Sequence, residues 1–234
     1  MKILAVIPAR AGSKRLPGKN IKLLGGKPLI QWSIDITKGI GEIIDCLVST
    51  DSEEIANLSK SMGAFVPWLR PEELSSDTSL SIDVLLHAVE WYQKHKGSVD
   101  GILLLQPTSP FRNLKSLKEA IQKFVDHKAQ NTVVSFSKLD YHPYWTFRTE
   151  GQFMKPFFSE EQLKVRSQDL PLAFRVNGSI YLIPTDWLLE TKSIYTNQIL
   201  PIFSEPLGED IDIDTNEDWL DAERYLSQET QTKF

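Results

Sequence analysis

The sequence predicts an α/β protein in which a mostly parallel sheet is covered by helices on both faces. Residues 3–7 and 101–105 are continuous apolar runs, which is the pattern of strands buried on both faces of a parallel sheet. Segments with apolar residues at helical spacing separate the strand-like runs, and strands that alternate with such helices form parallel sheets. We therefore predict a three-layer, Rossmann-like sandwich that uses residues 1–234 as one domain.

The first part of the chain alternates between predicted strands and helices. After the strand at residues 3–7, a helix is expected behind Pro28, which suits a first helical turn. Its apolar stripe is Leu29, Trp32, Ile36 and Ile40. Residues 43–49 form the second predicted strand, and Asp51 with Glu54 indicates the next helix start.

A short third strand is predicted at residues 65–66, and two amphipathic helices flank the strand at residues 101–105. The buried stripe of the first helix is Ile82, Leu85, Leu86 and Val89. That of the second is Leu114, Leu117, Ile121, Phe124 and Val125.

The chain changes in character from Asp140 onward. Residues 141–158 contain seven aromatic side chains without helical periodicity, interrupted by Gly151. We predict that residues 138–172 form a protruding hairpin extension. Its aromatic residues form either a local mini-core on the parent domain or a surface for a partner, since aromatic residues are enriched at interface centres.

The last part of the chain returns to the core. Residues 173–184 form a strand-like run around an Asn-Gly pair, and Thr185 begins a short helix. A late strand is predicted at residues 199–203 and a closing helix at residues 216–226. Residues 227–234 are polar and are expected to fray.

Composition narrows the class of protein. With 41% hydrophobic and 24% charged residues, the chain is of the ordinary globular type. Its net charge of -5 argues against nucleic acid as the main partner, because nucleic-acid-binding proteins normally present a basic surface. There is no signal-peptide pattern and no apolar run of the ~18 residues that span a bilayer. A single cysteine, Cys46, excludes an intramolecular disulfide framework, so we expect a cytoplasmic protein that binds no membrane.

The loop after the first strand is the strongest candidate for a ligand site. Between Arg10 and Lys27 there are six basic residues and no acidic residue, against the negative charge of the whole chain. Gly12 and Gly18 permit positive φ angles and close approach of the backbone, while amide groups, Ser13 and the cations converge. This composition predicts a polyphosphate cradle that differs from the Walker loop and from the dinucleotide-binding turn. The alternative is a solvated basic surface loop.

An acidic cluster near the end of the chain is the candidate metal site. Asp210, Asp212 and Asp214 alternate with isoleucines, and in a strand they would point to one face. Carboxylates on one face repel each other unless a cation joins them, and Mg²⁺ takes one or two carboxylates with waters and phosphate oxygens. The alternative is a solvated loop that caps the final helix, with Asp214 or Thr215 as the N-cap. The four histidines show no zinc-ligand spacing.

Residues 7–20 match the pattern Ile-Pro-Ala-Arg-x-Gly-Ser-Lys-x-Leu-Pro-x-Lys-Asn. In this stretch the chain resembles the acylneuraminate cytidylyltransferases, which load sialic acid and related nine-carbon keto-sugar acids onto CMP. Further matches to that family lie at residues 49–54, 70–81, 105–112, 166–181 and 212–219.

The resemblance implies a fold of the nucleotide-diphospho-sugar transferase type and a magnesium-dependent reaction. In that reaction, CMP passes from CTP to the anomeric 2-hydroxyl of a nonulosonic acid, N-acetylneuraminate or a relative such as legionaminate, and pyrophosphate is released. The resemblance also implies a homodimer in which the protruding segment closes over the neighbour's active site.

The resemblance assigns roles to individual residues. The implied catalytic residues are Arg10, Lys14 and Lys19, which neutralise the phosphates, and Asp212 and Asp214, which hold the metal. The remaining implied nucleotide contacts are Ala9, Gly12, Ser13, Asn20, Arg70 and Ser81. The implied contacts to the sugar acid are Gln106, Lys138, Arg166, Asn177 and Tyr181.

Several of these residues have competing structural explanations. Gln106 offers both a donor and an acceptor to a sugar, or it simply opens the turn at residues 107–110. Arg166 pairs with the sugar carboxylate, or it forms an exposed salt bridge at an interface. Arg70 and Ser81 contact the nucleotide, or they are an ordinary loop residue and a helix-start hydroxyl.

Two rival functions stay open at this point. One is cytidylyl transfer to the eight-carbon acid of lipopolysaccharide, 3-deoxy-manno-octulosonate, although Asn20 and the segment around Arg166 disfavour it. The other is a regulatory module that binds CTP without turnover. The presence of both a basic and an acidic cluster argues against that second function.

Overall fold

The computed structural model describes residues 1–76, 78–204 and 207–231, and these residues form ten strands and seven α-helices. The strands are β1 (Ile3–Pro8), β2 (Leu23–Leu24), β3 (Lys27–Pro28), β4 (Ile43–Ser49), β5 (Gly101–Leu104), β6 (Thr132–Lys138), β7 (Phe147–Glu150), β8 (Phe153–Pro156), β9 (Phe174–Pro184) and β10 (Ile199–Phe203). The helices are α1 (Leu29–Asp35), α2 (Glu53–Ser61), α3 (Ser81–His95), α4 (Leu114–Asp126), α5 (Glu160–Leu163), α6 (Thr185–Thr191) and α7 (Asn216–Gln231).

The central sheet has six strands in the order β10-β6-β9-β5-β1-β4. All neighbouring pairs are parallel except those of β9, which runs antiparallel to both β5 and β6. Because Leu104 pairs with Tyr181, the residues of β9 before Tyr181 extend past the carboxyl end of β5. The predicted mostly parallel sheet is therefore confirmed, and one reversed strand brings its own amino-terminal half to the carboxyl edge of its neighbours.

Two apolar layers cover the sheet, as β1 shows most simply. Successive side chains of a strand point to opposite faces. Ile3, Ala5 and Ile7 join a buried cluster with α1, α2 and α4, whereas Leu4 and Val6 join a second cluster with α3 and α6. All five side chains are fully buried, which explains why this strand is apolar without alternation. The three-layer sandwich is thus confirmed.

A third, separate apolar cluster connects the loop after β1 to the C-terminal helix. It contains Leu16, Leu24, Leu29, Ile213, Trp219 and Ala222, all buried. The ammonium of Lys22 lies 4.0 Å from the centre of the Trp219 ring, a cation–π contact on the same surface. The basic loop is therefore packed against α7 and is not a fully solvated surface loop.

The predicted extension contains the antiparallel hairpin β7–β8, with Phe147 opposite Pro156 and Glu150 opposite Phe153. Every residue of β7 is exposed. A small ring contact between Tyr144 and Phe158, 5.5 Å between centroids, is consistent with a limited mini-core. Most of the apolar surface nevertheless faces outward.

Several element boundaries differ from the prediction for identifiable reasons. At residues 65–66 there is no strand: Phe65 forms a single bridge to Leu47. The first helix ends at Asp35 instead of continuing to Ile40. The second begins at Glu53 with Ser52 as its N-cap, because the side chain of Asp51 accepts a hydrogen bond from the amide of Ala11 instead.

The C-terminal region also departs from the prediction. Helix α7 continues to Gln231, beyond the predicted end at residue 226, and residues 232–234 lie outside the described residues. Residues 210–214 are not a strand, because Leu207–Asp210 is a 3-10 helix and the chain is irregular from there to α7. In the described parts of the chain, none of the helices combines the length and the apolar character needed to cross a membrane.

Candidate active site

A cavity of about 460 Å³ opens where β1 and β5 end. Nine of the residues predicted for the site line it: Arg10, Ser13, Lys14, Lys19, Asn20, Arg70, Ser81, Gln106 and Asp214. The other residues that line the cavity are Pro8, Arg15, Leu16, Leu74, Ser76, Ser79, Val84 and Thr108. The structure thus brings together the basic loop, the start of α3, the exit of β5 and part of the acidic segment.

Hydrogen bonds fix the basic loop in place. The side chain of Asn20 is buried, and its Nδ2 donates to the carbonyl of Arg10 over 2.9 Å. At the other side of the loop, the amide of Ala11 donates to Oδ1 of Asp51 over 2.8 Å. These bonds close the loop on itself and attach it to the end of β4, so its donors are ordered before a ligand arrives.

The two glycines of this loop behave differently. Gly18 has a φ angle of +67°, the left-handed conformation that glycine adopts without steric cost. Gly12 does not have a positive φ, so the predicted conformation is confirmed for Gly18 and wrong for Gly12. A Cβ atom at Gly12 would meet no atom within 4 Å, which leaves open space there.

Two cations of the loop share one carboxylate. The Nζ of Lys19 donates to Oδ1 of Asp214 over 2.9 Å and to the carbonyl of Ile213 over 3.1 Å. The Nη2 of Arg15 donates to Oδ2 of Asp214 over 2.6 Å. The basic loop and the acidic segment are therefore in direct contact at the cavity.

The carboxylates of the acidic segment have different surroundings. The prediction that Asp210, Asp212 and Asp214 point to one face of a strand is therefore wrong. Asp210 accepts a hydrogen bond from Ser137 and lies 3.5 Å from Arg175, at β6 and β9. Asp212 is exposed. Because the backbone is irregular here, side chains two residues apart need not point the same way.

The helix-capping interpretation holds for Thr215 and not for Asp214. The Oγ1 of Thr215 accepts from the amide of Asp218, and Oδ2 of Asp218 accepts from the amides of Asp214 and Thr215. The N-terminus of α7 is thereby capped without the Asp214 side chain. That carboxylate stays at the cavity.

Arg70 places a buried cation at the cavity. Its side chain is only 6% exposed, and its Nε has no hydrogen-bond partner among the described residues. Burial lowers the pKa of the guanidinium, whereas the nearby Asp51 carboxylate raises it. A buried donor that is unpaired at a cavity wall suits an acceptor on a ligand, because such a group is costly to leave unsatisfied.

Sequence reasoning missed Arg112, which organises the floor of the site. It is 7% exposed and donates in three directions: Nε to the carbonyl of Ser179 (2.5 Å), Nη1 to Oγ of Ser33 (2.9 Å) and Nη2 to the carbonyl of Gln106 (2.5 Å). Burial lowers its pKa to about 9, opposed by the Glu209 and Asp212 carboxylates. Two of its three acceptors, Ser33 and Ser179, are 79 and 67 residues away in the sequence, so the family match at residues 105–112 was the one available signal.

The bend in β9 brings Gly178 against Gln106. Gly178 has a φ angle of +80°, and a Cβ there would lie 3.1 Å from Oγ of Ser109 and 3.6 Å from Oε1 of Gln106. A side chain at this position would therefore crowd Ser109, and its Cβ would be in ordinary van der Waals contact with Gln106.

Seven of the predicted site residues do not line the cavity: Ala9, Gly12, Lys138, Arg166, Asn177, Tyr181 and Asp212. Arg166 is exposed and pairs over 2.7 Å with Asp169 of the same chain, so it forms an exposed salt bridge, but within the chain and not across an interface. Lys138 is exposed at the end of β6, and Ala9 is buried.

Asn177 and Tyr181 are engaged with neighbouring residues in β9 and beyond. The Asn177 amide accepts from Ser135 Oγ and from its own strand at the amide of Ser179, and it donates to the hydroxyls of Ser137 and Ser204. Its hydrogen-bonding capacity is thus used within the protein. Burial and contact with Tyr195 raise the pKa of Tyr181.

Comparisons with known proteins agree with this geometry. The family model described as "Cytidylyltransferase" matches residues 4–198. The CMP-N,N'-diacetyllegionaminic acid synthase of Legionella pneumophila is 40% identical over 97% of each chain. The pseudaminic acid cytidylyltransferase of Campylobacter jejuni is 34% identical over 93% of each chain. The N-acylneuraminate cytidylyltransferase of Streptococcus agalactiae is 35% identical, but the match covers 97% of this chain and 54% of that relative.

Solved structures with lower identity show the same fold. One is CMP:2-keto-3-deoxy-manno-octonic acid synthetase complexed with CTP, with a TM-score of 0.71, 19% identity and coverage of 98% of this chain and 100% of that one. Another is the 4-diphosphocytidyl-2C-methyl-D-erythritol synthase of Anaerococcus prevotii, with a TM-score of 0.65, 16% identity and coverage of 97% and 98%. Together with the family match, the cavity and the sequence relatives, these findings establish that the chain belongs to the cytidylyltransferase family, in the group of the CMP-nonulosonic acid synthetases.

Proposed function

We propose that this cytidylyltransferase uses N,N'-diacetyllegionaminic acid as its sugar acid and works as a Mg²⁺-dependent homodimer. The single observation that carries the proposed chemistry is the 2.9 Å contact of Lys19 with Asp214 at the cavity, because it joins the lysine proposed to bind phosphate to the carboxylate proposed to bind the metal. The choice of sugar is supported by the 40% identity to a relative named for that acid, against 34% and 35% for the relatives named for pseudaminic and acylneuraminic acid.

The basic loop is the proposed site of the triphosphate. Arg10, Lys14 and Lys19 line the cavity together with Ser13. Converging cations and hydroxyl groups in a partly closed cavity stabilise phosphate charge more strongly than they would in open water. The cytidine part would extend toward Arg70 and Ser81, where the unpaired Nε of Arg70 offers a donor.

The two carboxylates predicted for magnesium suit that ion chemically. Asp214 lines the cavity beside the phosphate-binding cations, and Asp212 lies two residues away on the same irregular segment. Among the described residues no group of three or more His, Cys, Asp or Glu side chains is placed to hold a metal. Mg²⁺ accepts such a sparse site, because waters and substrate phosphates complete its octahedron. When bound, the ion would offset charge on the α-phosphate and on the pyrophosphate.

The proposed reaction depends on substrate positioning and electrostatic stabilisation and does not require covalent catalysis. The anomeric 2-hydroxyl oxygen forms a bond to the α-phosphorus, the bond from that phosphorus to the β-phosphate oxygen breaks, and the hydroxyl proton is released. The electron pair leaves with pyrophosphate. Arg10, Lys14 and Lys19 would stabilise the charge that develops on the phosphates, as in phosphoryl transfer generally.

Gln106 is the proposed contact for the sugar acid within one chain. Its side chain lines the cavity, and Gly178 leaves space beside it. Lys138 and Arg166 lie at the start of the extension and within it, away from the cavity of their own chain. A second chain whose extension covers this cavity would give both residues access to the sugar acid.

Initial rates of pyrophosphate release with CTP, Mg²⁺ and a panel of sugar acids test this proposal. The panel contains N,N'-diacetyllegionaminic, pseudaminic, N-acetylneuraminic and 3-deoxy-manno-octulosonic acid. We expect kcat/KM to be highest for the first by at least about tenfold, the discrimination that one well-placed polar contact provides. A higher kcat/KM for another acid would contradict the choice of sugar. CTP binding without pyrophosphate release from any of the four would favour the regulatory module.

A further inference from the structure

Arg15 stands at a position that the family pattern leaves open, between Lys14 and Leu16. Its side chain nevertheless lines the cavity. The backbone at this point is held by Leu16, which is buried in the third apolar cluster, while the Arg15 side chain itself is 69% exposed. The Arg15 backbone is therefore anchored, whereas its side chain is mostly exposed to solvent.

The guanidinium of Arg15 donates a hydrogen bond to the carboxylate of Asp214. The 2.6 Å contact to Oδ2 is the one hydrogen bond of its side chain within the described residues. Lys19 differs, because its side chain is only 13% exposed and its ammonium has a second acceptor, the carbonyl of Ile213. Of the two cations on Asp214, Arg15 is the one that can leave.

The Arg15–Asp214 pair contributes little to folding. Asp214 is 35% exposed and Arg15 more so, and ion pairs of this kind contribute ~0–1 kcal/mol to stability. A triphosphate in the cavity offers Arg15 a more highly charged acceptor, which a guanidinium can bind with two parallel hydrogen bonds. When Arg15 leaves, Asp214 loses one of its two counter-charges.

We propose that Arg15 is a further phosphate-binding residue, and that its ion pair with Asp214 is exchanged when the nucleotide binds. Before binding, Arg15 masks the carboxylate against divalent cations. After binding, Arg15 contacts the polyphosphate, and Asp214 becomes available to the metal. Nucleotide and divalent cation thus bind with positive coupling. This inference rests on the proposed role of Asp214 as a metal ligand.

Binding of Mn²⁺ to nucleotide-free protein, followed by the electron paramagnetic resonance of free Mn²⁺, tests the masking directly. Removing a unit charge a few ångströms from a divalent ion changes its affinity by about tenfold or more even in water. We expect Arg15→Ala to bind Mn²⁺ at least about tenfold more tightly than the wild type. In the Arg15→Ala/Asp214→Asn double variant this gain should disappear. Equal Mn²⁺ affinity in the wild type and Arg15→Ala overturns the inference.

The matched control is Arg224→Ala. Arg224 pairs with Asp221 over 2.8 Å on α7, and both side chains are exposed. Loss of this pair removes one positive charge from the surface without changing the cavity, so Mn²⁺ affinity should stay at the wild-type value. A gain as large as that of Arg15→Ala would mean that net charge alone is responsible, and it would overturn the inference.

Calorimetric titration with CTP in the presence of EDTA tests the phosphate contact. We expect Arg15→Ala to weaken metal-free CTP binding by about tenfold, the loss typical of one charge-assisted hydrogen bond. Unchanged CTP affinity overturns this part of the inference. Turnover of the wild type is measured in parallel: an inactive wild type refutes the proposed function, whereas equal Mn²⁺ affinities in an active enzyme refute the inference alone.

Discussion

At the scale of single residues, the cavity is organised by charges that are fixed before substrate arrives. Lys19 is the clearest case, since its ammonium is held between a carboxylate and a carbonyl of the acidic segment. A charge that is already oriented stabilises a transition state without a reorganisation cost at the moment of reaction. We therefore expect the loss of Lys19 alone to lower the rate of catalysis strongly.

We expect Lys19→Ala to lower kcat and kcat/KM together by about 10²-fold. Lys19→Arg should restore little activity, because the guanidinium is wider than the compact ammonium it replaces. Steady-state kinetics at low and high ionic strength measure both effects. Lys22→Ala is the control, as Lys22 belongs to the same loop but packs on Trp219.

Two results would show that Lys19 only adds to the general field of the loop. One is a loss below about threefold that fades in high salt, because screening removes long-range contributions first. The other is a rise in the KM for CTP with kcat unchanged, since that pattern reports binding that is equal in the ground and transition states.

Arg112 predicts a different kinetic pattern. It holds the backbone of Gln106 and the bend of β9 through Ser179, which are on the sugar side of the proposed site. A lysine presents its three N–H donors from a single nitrogen, so it cannot reach all three of the acceptors that Arg112 reaches from Nε, Nη1 and Nη2. We expect Arg112→Lys to raise the KM for the sugar acid about tenfold while the KM for CTP changes less than about threefold.

Thermal melting of Arg112→Lys serves as the control for folding in that experiment. The kinetic comparison is made at a temperature where the variant is fully folded. Equal increases in both KM values would mean that Arg112 supports the whole cavity and has no particular effect on Gln106.

The sequence predicts those site residues that are close together along the chain, but not those that only the folded structure brings together. Arg10, Lys14 and Lys19 share one short loop, so their proximity follows from the sequence itself. Arg112 is held by hydrogen bonds to α1, to the turn after β5 and to β9, and no local pattern encodes its burial. The contact of Arg15 with Asp214 likewise joins positions 199 residues apart.

At the scale of elements, the extension at residues 138–172 stands out because several of its large apolar side chains are exposed to solvent. Tyr141, Phe153, Met154, Phe157 and Leu172 are each between 59% and 82% exposed. Exposed apolar residues that cluster in this way usually mark an interaction surface. A second copy of the chain is the partner that the proposed dimer requires.

We expect the wild type to be a dimer at micromolar concentration and the Phe153→Glu/Phe157→Glu double variant to be a monomer. Buried charges at an interface without partners are strongly unfavourable, whereas both positions are solvent-exposed within one chain. Light scattering after gel filtration measures the mass. Leu220→Glu is the control, because Leu220 is an exposed apolar residue on α7. A wild-type monomer with full activity would contradict the assignment.

The sequence predicts most helices and strands correctly, but it does not predict the conformation of the acidic segment at residues 210–214. The hairpin, β10 and α7 were predicted because aromatic clusters and apolar periodicity persist over their length. Residues 210–214 were predicted as a strand because aspartate and isoleucine alternate there. In the structure, Ile213 packs in the third apolar cluster and its amide donates a hydrogen bond to the carbonyl of Thr108. This one buried isoleucine anchors an irregular segment, so the alternation of aspartate and isoleucine does not indicate a strand here.

At the scale of the whole molecule, strand direction decides where the site is. Strands β1, β4 and β5 are parallel, which brings their carboxyl ends to one edge, and the reversed β9 adds Gly178 at that same edge. The sequence could predict that these strands are buried but not that β9 runs backward, because an apolar run reads the same in either direction. The resulting cavity brings the basic loop, Arg70, Gln106 and Asp214 together.

The most direct test of the central claim is ³¹P nuclear magnetic resonance of the reaction with CTP, Mg²⁺ and N,N'-diacetyllegionaminic acid. If the cavity transfers CMP to the sugar acid, the three CTP resonances disappear. One phosphodiester signal and pyrophosphate should then appear in equal amounts, and Asp214→Asn should slow this conversion while the protein stays folded. Conversion of CTP to CDP and phosphate, or to free CMP without a phosphodiester, would contradict the claim, as would unchanged CTP in the presence of folded wild-type protein.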